Sequence, residues 1–326
     1  GSVRCVYETD VVQWGNFLLV RGVDKNQRVN FRLKYKPNLF VPVMKQTDWK
    51  TLDGKSVTPY QFDCIKDAKD FLLKYESQPH LVHGLNRFAY TYISDTFPQK
   101  VNWNIDKILI MTIDIEVQCE NGFPNPESAI EPLLSITVKN QQSKKIIVWG
   151  IQPYKNTRED VTYIRCPNEH DLIMEFMSFW TKNYPDVITG WNTDFFDIPY
   201  LANRIKQVCG EDKMRELSPW KNVSSKQIYS MGRNHLMYDI MGVSQYDYLQ
   251  LYQKFTYTRQ ESYKLDYIAS VELGEKKDEN PYETFREWYE NDFQSFIDYN
   301  IQDVEIVDKL EAVSYTHLRA HETMLH

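Results

Sequence analysis

Three places in the chain carry acidic and aromatic residues whose types and spacing could do chemistry. Asp114-Ile-Glu116 follows directly on the apolar run Ile108-Leu-Ile-Met-Thr-Ile113. Alternate residues of a strand share a face, so the two carboxylates stand on one side, about 7 Å apart at a rise of ~3.3 Å per residue. Such a pair repels unless a positive charge lies between, and a hard divalent cation is the natural partner for its oxygens. The second place is Asn192-Thr-Asp-Phe-Phe-Asp197, ahead of Ile-Pro-Tyr. The third is Tyr299-Asn-Ile-Gln-Asp303, inside a helical stretch from Asp292 to Glu311. Residues four apart on a helix are neighbours, so Tyr299 and Asp303 project together. Each place alone also has an ordinary reading. Asp-x-Glu can be a polar strand end. Asp197 can be an N-cap with Pro199 in the first helical turn. Tyr299 and Asp303 can sit on a solvated helix edge, since Asp298, Glu305 and Asp308 are close by.

The elements that must hold these residues follow from periodicity. Ile108–Ile113 is continuously apolar, as expected of a strand buried on both faces. Strands are also expected over Glu131–Val138, Lys145–Trp149 and Val187–Gly190. Helices are expected over Asn168–Asn183, with Leu172, Phe176 and Phe179 on its apolar face, and over Ile198–Val208. Strands followed by helices at this pace predict an α/β layer arrangement. The last helix carries Ile301, Val304, Val307 and Leu310 at helical spacing, which can anchor it on the sheet.

Residues 3–104 read as a smaller α+β unit. Asn16–Arg21 and Val29–Tyr35 alternate as strands around a turn at Asp24-Lys-Asn-Gln27, Asp67–Tyr75 is a short helix, and Phe88–Ile93 reads as a further strand. Ile228–Gly242 carries a hairpin signal, with its turn at Gly232-Arg-Asn-His235.

Composition narrows the class. A length of 326 residues suggests about two domains. The five cysteines (5, 64, 119, 166 and 209) form no CxxC pair, which points to a reducing compartment without a disulfide framework or thiolate metal site. No apolar stretch approaches the ~20 residues that span a bilayer. A net charge of −7 argues against broad electrostatic capture of nucleic acid. It leaves room for a small site where carboxylates hold cations and the cations meet phosphate.

Taken in order, the three places resemble the exonuclease motifs of the DEDDy 3′–5′ exonucleases. The version here is similar to the proofreading domain of family B DNA polymerases of the T-even phage type. Thr189-Gly-Trp-Asn192, Phe196-Asp-Ile-Pro-Tyr200, Asn203-Arg-Ile-Lys206, Leu217-Ser-Pro219 and Ser262-Tyr-Lys-Leu-Asp-Tyr-Ile268 support it, as do Tyr35-Lys-Pro-Asn-Leu-Phe40 and Ser94-Asp-Thr96. The resemblance implies a ribonuclease H-like exonuclease domain over 105–312, beside the N-terminal α+β domain over 3–104. It implies that Asp114, Glu116, Asp197 and Asp303 hold two Mg²⁺ or Mn²⁺ ions and that Tyr299 orients the attacking water. Asn192 and Phe196 match single-strand contacts, and Phe123 matches a position where an aromatic packs on terminal bases. Lys264 is a candidate for a substrate phosphate. Phe123 can equally be a plain loop aromatic, and Lys264 a solvated lysine.

The implied partner is the 3′ end of single-stranded DNA, with RNA a further candidate for the N-terminal domain. A monomer in a bacterial host's cytoplasm is expected, away from any membrane. A non-catalytic single-stranded DNA- or RNA-binding fragment is the alternative. From Val313 the sequence resembles translated sequencing-adapter DNA, and Gly1-Ser2 a tag remnant. Residues 313–326, with His317, His321 and His326, are therefore expected to be non-native, and polymerase activity is expected to be absent.

Overall fold

The alternation in the first fifty residues produces strands. β1 (Val6–Trp14), β2 (Phe17–Asp24) and β3 (Gln27–Lys34) form an antiparallel meander. β4 (Asn38–Pro42), β5 (Trp49–Lys50) and β6 (Ser56–Gln61) form a second small sheet in the order β4-β6-β5. α1 (Ile65–Lys74) and α2 (Phe88–Thr96) complete this first unit, residues 1–107; residues 108–326 form the second. The structure, a computed structural model, describes residues 6–24, 27–99, 104–120, 122–230, 232–256, 258–275 and 280–314.

α2 corrects the strand expected over Phe88–Ile93. Phe88, Tyr90 and Tyr92 alternate in the manner of a strand, but burial selects the helical period. Phe88 is fully buried, the Tyr92 ring meets Tyr35 edge-on at 5.8 Å, and Asp95 accepts the Tyr35 hydroxyl at 2.6 Å. Phe88, Tyr92 and Asp95 stand at i, i+4 and i+7, one face of a helix. Tyr90, on the other side, is exposed.

The second unit is built on β7 (Ile110–Val117), β8 (Leu133–Asn140), β9 (Ile146–Gly150), β10 (Val161–Arg165) and β11 (Val187–Gly190). α3 (Glu169–Lys182), α4 (Asp197–Cys209) and the short α5 (Glu211–Arg215) are interleaved with them. A hairpin of β12 (Val223–Ser230) and β13 (Arg233–Ile240) precedes β14 (Ser244–Asp247). α6 (Tyr248–Phe255), α7 (Leu265–Leu273), α8 (Phe285–Asn291) and α9 (Phe293–Ser314) close the unit. The six-stranded sheet runs β10-β9-β8-β7-β11-β14. β7 is parallel to β11 and antiparallel to β8, and the sheet is mixed. A mixed α/β unit together with a smaller α+β unit agrees with the fold class the sequence implies.

Helices cover both faces of the sheet. On one, α3 and α4 bury Leu172, Phe176, Trp180, Ile198 and Leu201 against Ile113, Ile115, Ile136 and Trp149. On the other, α9 packs Phe296, Ile297, Ile301 and Val304 on Leu134, Ile146 and Val148. Further along α9, Ile306, Val307 and Leu310 meet α6 and α7. β7 is therefore buried from both sides, which explains its unbroken apolar run.

The expected hairpin turn moves by two residues. Ser230 pairs with Arg233, so Arg233–His235 already belongs to β13 and the turn falls ahead of it. Gly232 has φ +80°, a left-handed conformation that glycine supplies without strain. α9 continues through Val313 and Ser314, while residues 315–326, with the three tail histidines, lie outside the described residues.

Phe296 is fully buried among Phe285, Trp288, Tyr289 and Phe293. Phe296→Ala should destabilise the second unit by about 3–5 kcal/mol, the usual loss for a buried aromatic. Chemical denaturation followed by tryptophan fluorescence checks this. A change below ~1 kcal/mol would mean that this cluster does not hold α9.

Candidate active site

β7 presents Asp114 and Glu116 on the sheet face that α9 covers. β8 places Thr137 and Ser135 directly across from them. Residues opposite each other on antiparallel strands share a face. α9 then brings Asp303 down onto the same spot. One oxygen from each of Asp114, Glu116 and Asp303 lies within 4.8 Å of the others. Glu116 and Asp303 are buried, and Asp114 is half-buried.

Three other acids of α9, Asp298, Glu305 and Asp308, go elsewhere, which argues against a merely solvated edge. Asp298 accepts the Tyr154 hydroxyl at 2.7 Å. Glu305 pairs with Arg158 at 2.6 Å. Asp308 pairs with Lys139 at 2.8 Å and Lys144 at 2.6 Å. Asp303 alone of these four joins the other carboxylates.

Asp197 stands beside the three-carboxylate group without belonging to it. It is the first residue of α4, with Phe196 at the N-cap position, so it is not the capping residue that its sequence context also allowed. Its Oδ1 accepts the Ile115 amide at 3.1 Å, between Asp114 and Glu116 on β7. Burial pushes its carboxyl well above the ordinary range. The Ile115 hydrogen bond opposes that shift, and the charges of Asp247 and Asp303 add to it.

The loop that delivers Asp197 is held by a residue the sequence reading passed over. Asp247, at the end of β14, is buried. Its Oδ1 accepts the amides of Asn192 and Leu249, both at 2.9 Å, and its Oδ2 accepts that of Asp194 at 3.2 Å. Asn192 has φ +64°, a left-handed conformation that asparagine tolerates better than most residues. Gly190 starts the turn where a Cβ would lie 2.5 Å from the Ile113 carbonyl oxygen, so only glycine fits against β7. A Ser-Gln-Tyr-Asp strand end carries no acidic pairing, and nothing in its spacing marks Asp247.

A cleft of about 620 Å³ is lined by Trp191, Asn192, Tyr263, Lys264, Trp288 and Tyr299 among others. The Tyr299 ring rests edge-on against Trp288 at 4.8 Å. Lys264 is exposed just ahead of α7. Phe123 is 83% exposed, with its ring 5.0 Å from that of Phe196. Asn192, Lys264 and Tyr299 thus line one cleft, while Phe123 and Phe196 form a separate aromatic pair.

Residues 85–268 match the family model of the DNA polymerase family B exonuclease domain. The chain belongs to that family, and its enzymatic class is that of a 3′–5′ exonuclease. It is similar to the DNA-directed DNA polymerase of Escherichia phage RB69, with 33% identity over 93% of this chain and 36% of the relative. The corresponding enzyme of Enterobacteria phage T4 is 31% identical over 92% of this chain and 36% of its own length. The DNA polymerase delta catalytic subunit of Candida albicans is 29% identical over 56% of this chain and 18% of its own length. The chain therefore spans about a third of the phage relatives it matches. Among the described residues, no helix is long and apolar enough to cross a membrane.

Asp194 makes the electrostatic cost measurable. Burial, then the charge of Asp247, pushes its carboxyl up to about 7. A carboxyl that holds its proton more tightly when folded makes the fold less stable as pH rises. The loss begins above the ordinary value of 3.8 and is complete above about 7. Asp194→Asn should therefore gain stability relative to the native protein between pH 5 and pH 8, by roughly 1–3 kcal/mol at 1.36 kcal/mol per pH unit. Denaturation at the two pH values, without added metal, measures it. An equal difference at both would show that Asp194 is not the titrating group.

Proposed function

We propose that this protein hydrolyses single-stranded DNA from its 3′ end by two-metal chemistry, as the proofreading part of a phage-type polymerase in a bacterial host's cytoplasm. The gathering of Asp114, Glu116 and Asp303 within 4.8 Å on one sheet face carries this reading. Their oxygen donors suit Mg²⁺ or Mn²⁺, hard cations that prefer carboxylates. Asp197 is the natural fourth ligand, because nearby cations would lower its raised proton affinity. When bound, such ions supply charge neutralisation and Lewis acidity at the scissile phosphate.

The chain's own residues supply the rest. The Tyr299 hydroxyl holds the attacking water in line with the terminal phosphorus. The water oxygen bonds to phosphorus, the P–O3′ bond breaks, and the leaving oxygen ends as the 3′-hydroxyl of the shortened strand. A nucleoside 5′-monophosphate departs. The cleft between Trp191, Lys264 and Tyr299 takes the unpaired end, with Asn192 contacting the strand and Lys264 facing phosphate. Phe196 and the exposed Phe123 stack on bases, a contact worth about 1–3 kcal/mol per base. Without cations, three clustered carboxylates would repel a phosphate chain, which weighs against a purely binding role.

A 5′-labelled single strand incubated with Mg²⁺ should shorten stepwise from its 3′ end. Duplex should react more slowly, since unpairing costs a few kcal/mol. Internal cuts, or equal rates in EDTA, would refute the reading. Asp114→Ala should nearly abolish cleavage. Tyr299→Phe should slow it by about 10–100-fold, equivalent to roughly 1.4–3 kcal/mol, while Mn²⁺ binding measured by calorimetry stays intact. Loss of that binding in Tyr299→Phe would place the tyrosine in a different role.

A further inference from the structure

Asn300 lies between Tyr299 and Asp303 in sequence and is fully buried on the inner side of α9. Its Nδ2 donates to Asp114 Oδ2 at 2.5 Å. Its Oδ1 accepts from Ser135 Oγ at 3.0 Å and also from the Thr137 hydroxyl. Ser135 and Thr137 are the cross-strand partners of Glu116 and Asp114. Two hydroxyls, one carboxamide and one carboxylate therefore form a chain across three elements: β8, α9 and β7.

The direction of the amide follows from donor and acceptor chemistry. An ionised carboxylate only accepts, so the amide nitrogen must face Asp114. The amide oxygen then faces two hydroxyls that can rotate to donate. Turning the amide over would set its carbonyl against a carboxylate and take away the acceptor of both hydroxyl protons.

We propose that Asn300 is a positioning residue for the exonuclease reaction, with Ser135 and Thr137 fixing Asn300 in turn. The amide fixes the Asp114 carboxylate through Oδ2 and so holds it in place beside Glu116 and Asp303 for a divalent cation. An uncharged donor suits this task. A lysine or arginine in its place would neutralise the cluster and compete with the cation for it. Carboxylates that bind metals are commonly oriented by such outer hydrogen bonds. The inference rests on the exonuclease reading above.

Two variants and two readouts separate the possibilities. Asn300→Leu replaces the amide with an apolar group of similar size, and Thr137→Val removes one hydroxyl while keeping its shape. Calorimetric Mn²⁺ titration of Asn300→Leu should show affinity reduced by about 10–100-fold. Exonuclease assays should show the half-saturating metal concentration rising and kcat falling. KM for an oligothymidylate should stay within about twofold, because Asn300 does not line the cleft. Thr137→Val should move the same quantities in the same direction by less, and it decides the matter if Asn300→Leu does not fold. Native metal affinity and kcat in a folded Asn300→Leu, or in Thr137→Val should that protein not fold, would overturn the positioning role and leave the exonuclease reading standing. A native protein without metal-dependent nuclease activity would overturn the exonuclease reading itself, and the positioning role with it.

Discussion

Mutual repulsion among carboxylates is the constraint on which the site depends. Asp114, Glu116 and Asp303 hold oxygens within 4.8 Å of each other in a largely buried place. At that separation, like charges cost about 1 kcal/mol per pair in water and several times more where water is excluded. Such an arrangement persists only if the surrounding fold enforces it. The enforcing element is α9, seated by Phe296, Ile297, Ile301 and Val304 on one stretch and by Ile306, Val307 and Leu310 on the next. Hydrophobic burial along both sides of Asp303 holds a charge where electrostatics alone would not put it.

The same helix shows how selective this is. Three of its other acids, Asp298, Glu305 and Asp308, are compensated by Tyr154, Arg158, Lys139 and Lys144. Asp303 turns instead toward Asp114 and Glu116. In the proposed function, a fixed cation at that place would compete with a divalent ion for the carboxylates. Hydrogen bonds from neutral groups, the Asn300 amide to Asp114 and the Ile115 amide to Asp197, stabilise the carboxylates without filling the site.

Much of this was legible in the sequence because it rests on local pattern. The apolar run before Asp114 located a central strand, and the spacing of Ile301, Val304, Val307 and Leu310 located the buried face of α9. Asp-x-Glu and Tyr-x3-Asp followed from period 2 and period 3.6. What escaped depends on partners distant along the chain. Asp247 acts by accepting amides from residues some 55 positions earlier in sequence, and a single aspartate at a strand end has no periodic signature. Asn300 sits three residues before Asp303, a spacing that puts both on one helical face. That signal was present but pointed to no chemistry until β8 supplied the hydroxyls. The Phe88–Ile93 segment misled for the opposite reason. Its alternating aromatics fit a strand locally, and only contacts with Tyr35, more than fifty residues away, select the helix.

The loop from Gly190 to Asp197 joins these levels. A parallel strand must leave the sheet and turn back into a helix within a few residues. Gly190 permits the close pass over β7, and Asn192 takes the left-handed conformation that reverses the chain. Asp247 satisfies the amides this turn leaves outside regular structure. Burying Asp247 beside Asp194 and Asp197 raises the proton affinity of all three. The turn that places Asp197 against β7 is therefore stabilised by one carboxylate and strained by the charges it assembles. In the proposed function, cation binding would relieve that strain at the site it creates, which would make the loop and the carboxylate face two halves of one electrostatic balance.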